Sequence, residues 1–279
     1  MTISEWIIQA AESLRNSGCP DPEIDARWIA EDILGMTAQE LRFEAQKTPD
    51  AKTLNQLDEC LRRRREGEPV QYILRRADFM GLKLYVDERV LIPRQDTETL
   101  TEAAIVALQG KATAAVLDLC TGSGAIGLSI ATLVPGAKVT LADVSAGALE
   151  VARKNAKLLN VSAEFRTGDL FEAVQWDKFD LIVSNPPYIP SGELAELQRE
   201  VQFEPTMALD GGADGLDFYR RIASEAGEHL NPGGSVYLEV GAGEAQAVHE
   251  ILISHLEAEA SGIQKDLNGI ERIVWLKGK

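Results

Sequence analysis

Hydrophobic positions follow two different rhythms along this chain. Over residues 1–77 they recur only at helical spacing. Trp6, Ile7, Ala10, Ala11 and Leu14 form one stripe, Ile24, Trp28, Ile29, Ile33 and Leu34 form a second that stops at Gly35, and Leu54, Leu57 and Leu61 mark a third. Nothing in this stretch carries obvious chemistry, so it reads as a small helical bundle. Over residues 78–93 the pattern loosens into alternation at Phe79, Leu82, Leu84, Val86, Val90 and Ile92 around Asp87-Glu88, which predicts a β-hairpin linking two domains. From residue 94 to 279 strands and helices take turns. Strand candidates are Ala115–Cys120, Lys138–Asp143, Ala163–Thr167, Phe179–Ser184, Ser235–Val240, Ile263–Leu267 and Arg272–Leu276. Helix candidates are Thr97–Leu108, Ala125–Leu133, Ala146–Leu159, Gly215–His229 and Glu244–Leu256. That alternation predicts an α/β domain, a mostly parallel seven-stranded sheet covered by helices on both faces. The last two strands are separated only by a short Asn268-Gly269 turn and must pair as a hairpin, so one strand runs antiparallel to the rest.

Composition narrows the setting. With 45% hydrophobic and 26% charged residues, the chain has the balance of an ordinary globular protein. The start, Met1 to Leu14, is amphipathic and carries Glu5 and Glu12, unlike a secretory signal, and no apolar run is long enough to span a membrane. A cytoplasmic location is expected. A net charge of −16 repels phosphate backbones and argues against a general nucleic-acid binder, favouring a partner with a basic surface. The one basic run, Arg62 to Arg65, reads as a solvated helix face. Cys19, Cys60 and Cys120 are odd in number and far apart, so no disulfide framework is expected. His229, His249 and His255 have no metal-ligand spacing with them, and no metal site is expected.

The first strand of the α/β region runs into Cys120-Thr121-Gly122-Ser123-Gly124-Ala125-Ile126-Gly127 and then a helix. Glycines there let a ligand approach the backbone, and the helix start offers free N–H groups to an anionic group. The second strand ends at Asp143, where a carboxylate can accept hydrogen bonds from both ribose hydroxyls of an adenosine. The third ends at Gly168-Asp169-Leu170, where Asp169 could take an adenine amino group and Leu170 could pack on the ring. Up to this point a nicotinamide enzyme fits as well as a methyl-donor enzyme, because Gly122, Gly124 and Gly127 also spell a dinucleotide fingerprint.

The fourth strand separates these readings, because it ends in Asn185-Pro186-Pro187-Tyr188. Ligands in such sheets bind beyond the carboxyl ends of the strands, which puts Asn185 beside the cofactor cleft. Two prolines lock the chain there and leave carbonyls as acceptors. The Asn185 side-chain oxygen and the Pro186 carbonyl can each accept one hydrogen of a planar NH2 group, and Tyr188 can pack against that flat group. A nicotinamide enzyme has no use for this loop.

These residues resemble the amino-group methyltransferases of the class I S-adenosylmethionine-dependent (Rossmann-like) fold. Further segments are similar to one branch of it, the release factor glutamine methyltransferases. They are Gly67-Glu68-Pro69-Val70-Gln71-Tyr72-Ile73, Val90-Leu91-Ile92-Pro93-Arg94-Gln95-Asp96-Thr97-Glu98, Phe203-Glu204-Pro205, Gly211-Gly212-Ala213-Asp214-Gly215-Leu216 with Tyr219, Leu238-Glu239-Val240-Gly241, and Asp266-Leu267-Asn268-Gly269-Ile270-Glu271-Arg272. Together they cover nearly the whole chain. The resemblance implies S-adenosylmethionine as cofactor and methylation of the N5 side-chain amide of the glutamine in the Gly-Gly-Gln loop of bacterial class 1 peptide chain release factors. It also implies that the helical domain helps hold that partner. The cofactor-binding candidates are Thr121, Gly122, Ser123, Gly124, Asp143, Asp169, Leu170 and Asn185. Asn185 and Pro186 are the catalytic candidates, and Pro187 and Tyr188 join them as substrate-binding candidates.

The chain departs from the family pattern in two places. Gln95-Asp96 stands where Pro-Glu is usual, and Cys120 stands where glycine is frequent. Cys120 reads as a small packed side chain rather than a reactive thiol. A glutamine methyltransferase acting on a ribosomal large-subunit protein shares the tetrapeptide and is the nearest alternative. An adenine methylase would need a basic groove and a target-recognition domain, and neither is visible.

Overall fold

Thr2 opens the first helix with a reciprocal cap, its hydroxyl accepting the Glu5 amide while the Glu5 carboxylate accepts the Thr2 amide. That helix, α1 (Ile3–Asn16), packs a buried stripe of Ile3, Trp6, Ala10, Ala11 and Leu14 against α2 (Pro22–Leu34), which ends at a left-handed Gly35. α3 (Ala38–Phe43), α4 (Ala51–Arg65) and α5 (Val70–Leu74) follow. The short α3 and α5 are not anticipated by periodicity, because so few residues cannot display a repeat. The computed structural model describes residues 1–279 and resolves them into two units. The smaller unit is Met1–Arg76 completed by Gln198–Phe203, a segment from far along the chain.

The basic run on α4 is not a uniform solvated face. Arg62 pairs in solvent with Glu59 and Glu66, and Arg63 makes a half-buried pair with Glu68. Arg64 falls seven residues after the buried Leu57, on the same inward stripe, and is only 4% exposed. Its guanidinium holds the buried Asp25 at 2.6 Å and donates to Cys19 Sγ and to Glu200, so the charge is neutralised inside the unit. Next to Glu200, the Arg199 side chain lies over Gly67 so closely that a Cβ there would meet it at 2.6 Å.

The larger unit is Ala77–Leu197 with Glu204–Lys279. It begins with a short antiparallel pair, β1 (Ala77–Phe79) and β2 (Leu82–Leu84). An irregular stretch leads from it into α6 (Gln95–Ala107). The main sheet then forms from β3 (Ala114–Leu119), β4 (Ala137–Asp143), β5 (Glu164–Thr167), β6 (Phe179–Ser184), β7 (Leu230–Glu239), β8 (Ala258–Lys265) and β9 (Glu271–Gly278). Its order is β5-β4-β3-β6-β7-β9-β8, parallel except that β9 runs antiparallel to both neighbours. The expected sheet, seven strands with one reversed, is therefore present.

Alternation along the central strands sorts the helices onto two faces. Leu117, Leu119, Ile182, Val236 and Leu238 face α9 (Asp217–His229) and α10 (Ala245–His255). Val116, Leu181, Val183, Val139 and Leu141 face α6, α7 (Ala125–Leu133) and α8 (Ala146–Leu159). Two strands start earlier than their apolar runs suggest. β7 takes in Asn231-Pro232-Gly233-Gly234, tolerated because its register with β6 shifts there. β8 takes in Ala258 to Gly262, whose small and polar residues hide the alternation on an edge strand. No helix is long and apolar enough to cross a membrane.

Candidate active site

β3 delivers the chain into a loop whose backbone turns left-handed at Cys120, Gly122 and Gly124, with φ of 56°, 54° and 82°. Gly124 then caps the start of α7. Beneath the loop lies Asp118, fully buried on the helix-facing side of β3. Its Oδ2 accepts the Thr121 hydroxyl at 2.6 Å and the Gly127 amide at 2.9 Å. Gly127 has no room for a side chain, because a Cβ would stand 2.2 Å from Leu141 and 2.9 Å from Asp118 Oδ2. This glycine in the first turn of α7 thus lets the helix settle onto the sheet and donate to the strand below. Burial pushes the Asp118 carboxyl up to about 7, against the pull of these two donors.

Asp143 ends β4 one strand over. Its Oδ2 accepts the Gly122 amide at 2.9 Å and its Oδ1 accepts the Ser145 amide at 2.8 Å. Burial raises its pKa, and those two amides oppose the shift. Each carboxylate oxygen keeps a further lone pair for a ligand hydroxyl. Asp169 follows β5 and holds Arg221 at 2.8 Å through Oδ1, and Leu170 is buried with φ of 50°.

These strand ends surround an open cavity. Cys120, Gly122, Asp143, Asp169, Leu170, Asn185 and Pro187 all line it. Thr121, Ser123 and Gly124 do not. Thr121 and Ser123 are buried and shape the loop from behind, and Gly124 packs toward Leu128 and Ala152. Apolar walls beside an acidic strand end suit the base and ribose of an adenosine-bearing ligand.

Asn185 leaves β6 directly after Ser184, whose hydroxyl donates to the Leu119 carbonyl at 2.7 Å and ties the two strand ends together. Asn185 Nδ2 donates to the Thr97 hydroxyl on the first turn of α6, at 3.2 Å. Pro186 is buried outside the cavity wall, and Tyr188 is half-buried against the core behind the loop. Burial pushes the Tyr188 phenol up to about 12, with Glu239 adding to the shift.

Several contributors have weak or no sequence signal. Arg89, Val90, Leu91, Pro205, Met207, Ala208 and Phe218 also line the cavity. Val90, Leu91 and Pro205 sit in family-like segments to which the sequence attached no role, and Met207 and Phe218 carry no signal at all. Glu204 holds the linker in place, its Oε2 accepting the Ile92 amide at 2.9 Å and its Oε1 pairing with Arg94. Asn155, completely buried on α8, takes the Tyr85 amide at 2.7 Å and gives its own to the Tyr85 and Ser123 carbonyls, each at 2.9 Å.

Family models match in two places: the PrmC N-terminal domain over residues 5–74 and the methyltransferase small domain over residues 95–200. Among curated proteins, the release factor glutamine methyltransferase of Geobacter sulfurreducens is 40% identical, over 94% of this chain and 91% of its own. That of Bordetella pertussis is 42% identical, over 90% and 93%. Among solved structures, a Pyrococcus furiosus methyltransferase superposes with a TM-score of 0.51 at 21% identity, covering 72% of this chain and 91% of its own. A T. thermophilus 16S rRNA methyltransferase, solved with AdoMet and guanosine, reaches 0.54 at 20% identity over 73% and 50%. The two structural likenesses speak for the fold. The similarity to the curated relatives spans nearly the whole chain, which therefore belongs to the release factor glutamine methyltransferase family and is an S-adenosylmethionine-dependent methyltransferase.

Proposed function

We propose that this enzyme methylates N5 of the glutamine in the Gly-Gly-Gln motif of bacterial class 1 peptide chain release factors, acting in the cytoplasm. The observation that carries the reading is Asn185. It lines the same cavity as Asp143, and its nitrogen is engaged by Thr97, so its oxygen is free to accept. A side-chain amide nitrogen is a poor nucleophile because its lone pair is delocalised into the carbonyl. Adenosylmethionine supplies an electrophilic methyl when bound, and the protein's task is then positioning, which can lower a barrier by several kcal/mol.

In this reading the Asn185 oxygen and the Pro186 carbonyl each accept one hydrogen of the glutamine NH2 and hold its face toward the methyl carbon. The same two oxygens stabilise positive charge as it grows on nitrogen. Pro187 flanks the flat amide from the cavity wall, and Tyr188, packed against the core behind the loop, keeps the loop stiff instead of touching the substrate. Asp143 binds the ribose, Asp169 and Leu170 bind the adenine, and the loop from Thr121 to Gly124 shapes the floor. No general base is required, because an amide that has gained a methyl on nitrogen is a strong acid. The helical unit, which matches the PrmC N-terminal domain, contributes to holding the partner. A net charge of −16 suits a partner with a basic surface.

The test is incubation with labelled adenosylmethionine and purified release factor, followed by mass spectrometry of the Gly-Gly-Gln peptide. One methyl on that glutamine is the expected result. Label on a ribosomal protein or on nucleic acid, with none on the release factor, would overturn the substrate.

A further inference from the structure

An asparagine side chain is nearly symmetric in shape, and turning it by 180° exchanges an acceptor for a donor. If Asn185 presented its NH2 to the substrate NH2, two donors would face each other and the grip would fail. Something has to fix the sense of that amide.

Thr97 cannot do so alone. Its hydroxyl touches Asn185 at 3.2 Å, but a hydroxyl both donates and accepts and would satisfy either end of the amide. The deciding group stands behind it. Ser184 on β6 pairs with Leu238 on β7, so the next residues along, Asn185 and Glu239, are neighbours where the two strands end. The Glu239 carboxyl lies beside the Thr97 hydroxyl and the Asn185 side chain; burial raises its pKa to about 7, and those two groups oppose the shift. Glu239 and Thr97 are almost completely buried, and Glu239 Oε2 has no hydrogen-bond partner. The Tyr219 hydroxyl donates to the Glu239 carbonyl at 2.9 Å and pins its backbone. Above a pH of about 7 the ionised carboxylate only accepts. It draws the Thr97 proton toward itself, which leaves Thr97 a lone pair to offer Asn185. It also repels the Asn185 oxygen. Both effects turn Nδ2 inward and Oδ1 toward the cavity.

We propose that Glu239, acting directly and through Thr97, is a positioning residue that fixes the Asn185 amide with its oxygen toward the substrate. The inference rests on the role given to Asn185 above. It assigns work to a glutamate that touches neither cofactor nor substrate.

Two isosteric changes and one conservative control test it. Thr97→Val removes the hydroxyl, Glu239→Gln replaces the acceptor-only group with one that can also donate, and Thr97→Ser keeps the hydroxyl. Single-turnover transfer to a release factor should fall about 100-fold in T97V and E239Q. The adenosylmethionine Kd should stay within about twofold and T97S should remain close to the parent. In 15N-labelled protein, exchange of the Asn185 side-chain amide protons with solvent should be slow in the parent and T97S and fast in E239Q. Parent-like transfer in both T97V and E239Q would overturn the proposal, as would loss of cofactor affinity in step with rate. If the parent itself transfers no methyl to the release factor, the substrate reading fails instead. The amide-exchange comparison then decides the positioning role alone. Should E239Q not fold, the T97V and T97S pair decides on the same criteria.

Discussion

The backbone amide of Gly122 donates to Asp143 Oδ2 at 2.9 Å, so the loop after β3 and the end of β4 are bonded to each other within the protein itself. The carboxylate is held in place by the loop it serves and is aimed at the cavity without a ligand's help. Replacing Asp143 with Ala removes both the proposed ligand acceptor and the partner of Gly122. Calorimetry should then show adenosylmethionine binding weakened by about 10- to 100-fold, the value of one or two hydrogen bonds to a charged group. Asp143→Asn should lose less, because it still has one oxygen.

Asn185→Ala should separate binding from chemistry. Turnover should fall below detection in a standard assay while adenosylmethionine affinity changes by less than about threefold, since its partner Thr97 and the walls of the cavity remain. Equal loss of both would contradict the division of labour between Asn185 and Asp143.

Cys120 carries a side chain in left-handed backbone, with φ of 56°. Cys120→Gly and Cys120→Ala both delete the thiol and differ in whether a Cβ must occupy that conformation. The glycine variant should be the more stable of the two by about 1 kcal/mol in denaturant melts. Both should resemble the parent in turnover, because burial pushes the Cys120 thiol above its ordinary pKa and methyl transfer to an amide nitrogen uses no thiol nucleophile.

Two buried carboxyls set a pH dependence of stability. Burial raises both Asp118 and Glu239 to about 7 in the folded protein. The fold therefore holds protons there that the unfolded chain gives up. Their contribution is complete below the ordinary carboxylate range and is lost as pH rises through about 7. The Tm of the ligand-free protein should climb as pH falls from 8 to 6, and Asp118→Asn should flatten that slope. Asp87 acts in the opposite sense, because Arg89 lowers it to about 2. Its contribution disappears only as strongly acidic pH is approached.

Arg64→Ala should destabilise the helical unit by about 3 kcal/mol or more, since it strands the buried Asp25 carboxylate without a counter-charge. Arg62→Ala, which removes a solvent-exposed pair, should cost less than about 1 kcal/mol. Chemical denaturation of the two variants side by side checks the contrast.

The contrast between those two arginines also marks where sequence reading stops. In the run from Arg62 to Arg65 all four side chains look alike, and only the phase of α4 against Leu57 singles out the one that turns inward. Strand ends behave differently. Asp143, Asp169 and Asn185 stand out because a parallel sheet brings every strand's carboxyl end to one edge, so a polar residue after an apolar run has a foreseeable address. Glu239 sits at such an end too, yet its neighbour is set by the Ser184–Leu238 register, which no spacing in the sequence encodes. Met207 reaches the cavity from a single short turn, Thr206–Ala208, which has no periodicity to read, and Phe218 from the very start of α9, where the helical repeat has only begun.

Because Gln198–Phe203 packs as part of the helical unit, that unit is not a continuous piece of sequence. Cutting the gene after residue 76 would yield a bundle lacking the Glu200 partner of Arg64 and the Arg199 side chain that covers Gly67. Grafting the first 76 residues onto another methyltransferase would transplant the same defect. In an engineered chimera the exchangeable block must therefore be two stretches moved together, one of them spliced in shortly after the Asn-Pro-Pro-Tyr loop.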